Sequence, residues 1–161
     1  MRIVVLAGPP CSGKTTLAHT IAKREDVVLD YDHIAQALGS PVEWIHPEPY
    51  RTQAEQHMQA AIAQAYHHPA HGTAWVLRTA PHPTSRQALA QRWRAQMYVL
   101  NPGKTVCEQR ALDTGRPRGT RTRIGQWYHR YQPWLGDLDP GLLHPDWANP
   151  RGTVALDPGT V

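Results

Sequence analysis

Apolar residues fall along this chain in short continuous runs. Ile3-Val4-Val5-Leu6, Val27-Val28-Leu29, Ala74-Trp75-Val76-Leu77 and the segment from Gln96 to Leu100 each read as a strand. Runs of this length, bounded by turn-forming residues, suit strands covered on both faces, as in a parallel sheet. Between them the apolar positions spread out to helical spacing. This predicts helices from about Lys14 to Arg24, Asp32 to Leu38, Tyr50 to His67, Ser85 to Arg94, Thr105 to Asp113 and Ile124 to Tyr131. Gly39-Ser40-Pro41 closes the second of these, and Asn101-Pro102-Gly103 marks a turn after the fourth strand. Strands alternating with helices predict a three-layer α/β domain with a parallel sheet and helices on both faces. Ligands of such sheets gather beyond the carboxyl ends of the strands, so the residues just after each run are where chemistry is to be sought.

After the first strand comes GPPCSGKTT, Gly8 to Thr16. Gly8, Gly13, Lys14 and Thr15 fit G-x-x-x-x-G-K-[ST], the Walker A pattern. Its glycines let successive backbone N–H groups turn inward toward phosphate oxygens, and the positive end of the next helix faces the same anion. Lys14 is expected to reach the β- and γ-phosphates of a nucleoside triphosphate, and the Thr15 hydroxyl to ligate Mg²⁺. Cys11, Ser12 and Thr16 complete the loop. Cys11 reads as a small residue at a variable loop position.

The second strand ends in Asp30-Tyr31-Asp32. Phosphoryl transfer needs a carboxylate to orient an acceptor hydroxyl and take its proton, and either aspartate is placed for it. Asp32 also suits the N-cap of the following helix. The third strand ends Leu77-Arg78-Thr79 and the fourth Leu100-Asn101, so neither delivers the acid that motor and switch NTPases place there. No guanine-reading NKxD pattern is present. These observations lean toward a kinase. The other class left open is an NTP-binding module that acts through a protein partner.

Composition adds an anionic partner. The 161 residues carry a net charge of +4, with a pI near 9.3. Arg110, Arg116, Arg118, Arg121, Arg123 and Arg130 cluster in one stretch, interrupted by glycine and proline. That interruption predicts a mobile lid over about 110–123 and not a helix face. A lid of arginines would stabilise charge on a transferred phosphoryl group, and the same groups could contact a nucleic-acid backbone. Two cysteines in no metal-ligand spacing, no apolar run long enough for a membrane span, and no signal-peptide pattern at Met1-Arg2-Ile3 give the expectation of a cytoplasmic protein. His67, His68 and His71 lie close together without a fourth ligand and read as exposed histidines. Trp75 and Trp93 read as core. Trp44 and Tyr50 flank His46-Pro47-Glu48-Pro49 and could offer a base a stacking surface. The segment 133–161 holds five prolines and four glycines with Trp134 and Trp147, and is expected to pack irregularly on the domain.

The loop, the acids ending the second strand and the arginine lid together resemble P-loop kinases, most nearly 5′-hydroxyl polynucleotide kinases and related small, often phage-encoded, kinases. Ile124-Gly125-Gln126-Trp127-Tyr128-His129-Arg130-Tyr131 is similar to the helix that follows the lid in that family. The resemblance covers about residues 1–132. It implies ATP and Mg²⁺ as cofactors, Asp32 as general base, Arg116 as the lid arginine on the phosphates and Arg110 as the arginine packed on adenine. It also implies a nucleic-acid or nucleotide acceptor. The family's arginine for the acceptor's phosphate, three residues after the base, is here Ala35. That leaves Arg51, Arg78 or Arg86 to substitute, with Asp30 beside them at the acceptor. Oligomeric state is not legible.

Overall fold

The chain is seen in a computed structural model that describes residues 1–69 and 71–150. Five parallel strands, β1 (Arg2–Ala7), β2 (Val27–Asp30), β3 (Thr73–Arg78), β4 (Gln96–Val99) and β5 (Asp137–Leu138), form one sheet in the order β2-β3-β1-β4-β5. The expected α/β architecture is therefore present, with β1 central and its carboxyl end opening into the phosphate loop.

Alternation along the strands sorts side chains into two layers. Ile3, Val5, Ala7, Ala74, Val76, Met97 and Val99 pack on one face with Met58, Ile62 and Ala65 of α3 (Tyr50–His67). Trp93, ending α4 (Pro83–Trp93), and Trp127 of α6 (Arg118–Arg130) complete that layer. Val4, Leu6, Trp75, Leu77, Tyr98 and Leu100 face the other way, onto Leu17 and Ala18 of α1 (Lys14–Ile21). Trp75 and Trp93 are core residues as expected; the Trp75 indole N–H donates to Asp26 at 3.1 Å. α2 (Tyr31–Ala37) directly follows β2, and α5 (Lys104–Asp113) follows β4.

Two expectations change. Arg118, Arg121 and Arg123 lie in the helix α6, not in an irregular lid; only about 114–117 interrupts α5 and α6. The stretch becomes helical because Thr120, Ile124 and Trp127, at three- and four-residue spacing, are buried and anchor one face. The segment after 132 is also more regular than its prolines suggest. It supplies β5, paired with β4 at Met97–Asp137 and Tyr98–Leu138, then short 3₁₀ turns at Pro140–Leu142 and Pro145–Trp147. Leu138, Leu143 and Trp147 pack against the α1 layer, so residues 133–150 build the same core as the rest. The remainder of the expected tail, 151–161, lies outside the described residues. Among the described residues no helix is long and apolar enough to cross a membrane.

Candidate active site

A cleft of about 1330 Å³ runs along the carboxyl edge of the sheet. Small-molecule sites are roughly 300–1,000 Å³, so this one has room for two reactants. The phosphate loop forms its floor. A Cβ on Gly8 would stand 2.5 Å from the Leu100 carbonyl oxygen, so the backbone can turn away from β1 only where there is no side chain. Gly13 takes φ 99° as the N-cap of α1 and provides no side-chain acceptor, which leaves the first N–H groups of the helix to an anion. Cys11 adopts φ 61° and packs toward Cys107, Ala111 and Ile124.

Lys14 folds over the loop. Its ammonium donates to the carbonyls of Gly8 at 3.0 Å and Pro9 at 2.7 Å and to the Ser12 hydroxyl at 3.3 Å. Burial pushes its pKa down to about 8, against the opposing pull of Asp30. The Thr15 hydroxyl donates to Asp30 Oδ2 at 2.9 Å, which turns its lone pairs away from Asp30 and frees them for a cation. Asp30 Oδ1 accepts the Asp32 backbone N–H at 3.0 Å. The cap of α2 is therefore Asp30 and not Asp32, as the sequence had suggested. β2 ends one residue before the helix starts, so the first carboxylate faces the helix's free N–H groups.

Released from capping, Asp32 stands in the first turn of α2 with its side chain 42% exposed. Its Oδ1 lies 3.1 Å from Nε2 of His46, whose side chain is only 3% exposed, and His46 Nδ1 lies 2.8 Å from the Ser40 hydroxyl.

Another wall comes from α5 and α6. Arg110 Nη1 donates to the carbonyls of Ser12 at 3.1 Å and Cys11 at 3.4 Å, which ties α5 to the phosphate loop. The Arg116 guanidinium lies 3.8 Å from the Trp44 ring centroid, bringing the connection between α5 and α6 onto the loop after α2. Trp44 is thus occupied by an arginine, where the sequence suggested a surface for a base. Arg116 Nε, Arg123 Nε and Thr120 Oγ1 are buried without a hydrogen-bond partner among the described residues, and all three residues line the cleft.

Of the arginines expected near the acceptor, Arg51 and Arg78 line the cleft and Arg86 does not. Arg51 pairs with Glu48 at 3.1 Å, and Arg78 makes a two-pronged pair with Glu55 at 2.6 and 3.0 Å. Arg86 is fully buried. Its five N–H donors go to both oxygens of Asp137 and to the carbonyls of Ala80, Pro81 and Gln132. It fastens β5 and the start of the C-terminal segment to α4, and has no donor left for an acceptor.

The sequence reading missed the wall that this segment builds. Asn149 accepts the Asn101 backbone N–H at 2.7 Å and donates to the Val99 carbonyl at 2.7 Å, continuing the sheet's bonding past β4. That pins Trp147 over the phosphate loop, where its indole nitrogen would lie 3.2 Å from a Cβ on Gly13. The available signal was a tryptophan and an asparagine in a proline-rich stretch without periodicity. His46 was likewise visible only as part of the segment between Trp44 and Tyr50. His67, His68 and His71 stand at the far end of α3, and no cluster of three metal-ligating side chains occurs among the described residues.

This sheet order, with the glycine-rich loop between β1 and α1, defines the class: the chain has the P-loop kinase-like α/β fold. Among solved structures it is similar to the tunicamycin resistance protein of Deinococcus radiodurans, with a TM-score of 0.55 and 19% identity over 87% of this chain and 86% of that one. It is also similar to shikimate kinase from Acinetobacter baumannii in complex with shikimate, with a TM-score of 0.53 and 18% identity over 92% of this chain and 80% of that one. At these identities the likeness is one of fold. No protein-family model and no curated protein sequence matches the chain.

Proposed function

We propose that this protein is an ATP-dependent phosphotransferase that moves the γ-phosphoryl group to a hydroxyl or phosphate of a second substrate. The observation that carries the reading is the division of labour at the end of β2. Asp30 holds the hydroxyl of the phosphate-loop threonine, while Asp32, two residues on, presents a carboxylate to the same cleft.

The backbone N–H groups of the loop and of the first turn of α1 bind the phosphates, and Lys14 exchanges its carbonyl partners for phosphate oxygens. Thr15, oriented by Asp30, fits a Mg²⁺ ligand; bound Mg²⁺ would offset charge on the β- and γ-phosphates. Asp32 accepts the proton of the acceptor hydroxyl while the acceptor oxygen bonds to the γ-phosphorus. The bond from that phosphorus to the β–γ bridging oxygen breaks, and ADP leaves. Arg116 and Arg123, whose Nε groups lack acceptors among the described residues, supply donors to the transferred group. Arg110 and Trp147 flank the other end of the cleft, where the nucleotide base would lie.

The acceptor in this reading is a nucleic-acid 5′-end, a nucleotide or a modified-base hydroxyl. A second reading has its own observation. Arg51 and Arg78 are each matched to a glutamate, so that side of the cleft is charge-balanced and suits a small hydroxylated molecule without a phosphate. Transfer of label from γ-labelled ATP to a panel tests both: 5′-hydroxyl DNA and RNA oligonucleotides, hydroxylated-base DNA, deoxynucleoside monophosphates, and unphosphorylated nucleosides and sugars, each with wild type and Asp32→Asn. Label on one of these acceptors, lost in Asp32→Asn, is the expected result. ATP binding with no acceptor labelled would instead support an NTP-binding module working through a partner.

A further inference from the structure

Asp32 has an unusual neighbour for a carboxylate that must accept a proton: an imidazole buried behind it. We propose that His46 is a positioning residue for Asp32. It holds Oδ1 through an Nε2–H donor and leaves Oδ2 to the acceptor hydroxyl; this rests on the phosphotransferase reading above.

The geometry limits what His46 can do. With a side chain 3% exposed it has little water to bond with, so its two ring nitrogens are served by Asp32 and Ser40. A carboxylate only accepts, so Nε2 must carry a proton when facing ionised Asp32. The partner of one ring nitrogen fixes the state of the other. Ser40 can donate to an unprotonated Nδ1, giving the neutral Nε2–H tautomer, and its hydroxyl can equally accept from an imidazolium while donating to the Val42 carbonyl at 3.4 Å. Both arrangements put the same donor on Asp32. The Tyr31 ring, edge-on with centroids 5.8 Å apart, fixes the imidazole plane from the start of α2. His46 and Ser40 both sit in the loop after α2, so that loop sets the direction of the base.

Free aspartate rotates about χ2, and misdirecting a reacting group by about 1 Å can cost on the order of 100-fold in rate. Losing the donor should therefore lower kcat while leaving nucleotide affinity alone, because Lys14, Thr15 and the loop are untouched. Glutamine places an amide N–H near the Nε2 position, whereas asparagine places one near Nδ1.

The test compares wild type, Asp32→Asn, His46→Leu, His46→Gln and His46→Asn in three measurements. These are transfer to the acceptor found in the panel, ATP affinity by calorimetry, and ¹⁵N–¹H NMR of the imidazole nitrogens without acceptor, with His46 assigned from its loss in His46→Gln. The expected result is a protonated Nε2 in wild type, a kcat about 10- to 100-fold lower in His46→Leu and His46→Asn, substantial recovery in His46→Gln, and unchanged ATP affinity throughout. An unprotonated Nε2, a fully active His46→Leu, or equal losses in the Gln and Leu variants would overturn the proposal. If Asp32→Asn retains transfer, or no acceptor is labelled, the phosphotransferase reading fails instead. The NMR still decides whether Nε2 carries the proton that Asp32 would accept.

Discussion

The Arg116 guanidinium rests on the face of Trp44, 3.8 Å from the ring centroid, and so joins the connection between α5 and α6 to the loop that carries His46. A cation over an indole face is held by about 0.5–2 kcal/mol, weak enough for a triphosphate to outcompete. Trp44 is therefore expected to change fluorescence when ATP and Mg²⁺ bind; comparison with Trp44→Phe isolates its signal. Arg116→Ala should lower kcat by about 100- to 1,000-fold and ATP affinity by a much smaller factor, as measured by steady-state transfer and calorimetry. An equal loss of affinity would place Arg116 in ground-state binding.

Lys14 should make nucleotide binding depend on pH. Its pKa in the free protein is about 8, pushed down by burial, and phosphate oxygens beside it must raise that value. Well below pH 8 the ammonium is already present and binding takes up almost no proton. Above pH 8 the free protein has lost the proton and must regain it, so ATP affinity should fall by up to about tenfold per pH unit. Calorimetry at pH 9 in buffers of different ionisation enthalpy should register net proton uptake. In Lys14→Met the uptake should vanish.

Arg86 and Asp137 form a buried pair that belongs to stability and not to the site. Arg86→Met leaves the Asp137 carboxylate without its main partner, an outcome expected to cost about 3–5 kcal/mol. The double change Arg86→Met, Asp137→Leu removes both charges and should cost less than Arg86→Met alone. Urea unfolding of the three proteins checks the order.

Gly8→Ala should abolish ATP binding, because the added Cβ meets the Leu100 carbonyl oxygen at 2.5 Å and the backbone there cannot give without disturbing β4. A Gly8→Ala protein that binds ATP normally would mean the loop adopts another path.

Trp147→Ala should weaken ATP binding by about 1–3 kcal/mol, the usual worth of a stacking ring at a base, with kcat at saturating ATP nearly unchanged. Asn149→Ala should reproduce part of the loss, since Asn149 anchors Trp147 by two bonds of 2.7 Å to the backbone of Val99 and Asn101 at the end of β4.

What the sequence determined by itself was local and periodic. Apolar runs set four strands, helical spacing set the intervening helices, and Gly8, Gly13, Lys14 and Thr15 specified a phosphate loop because its geometry depends on short-range backbone freedom. Asp30 and Asp32 could be placed at a strand's end, but not told apart. Their roles divided only when β2 stopped at Asp30, turning one carboxylate onto the helix cap and Thr15 and the other toward His46, 14 residues away. Arg86 looked like any other arginine until Asp137, 51 residues on, enclosed it. β5, Trp147 and Asn149 were hidden because a two-residue strand and two short turns carry no period to detect. Those positions were decided by burial and hydrogen bonding between distant segments, which only the assembled sheet brings together.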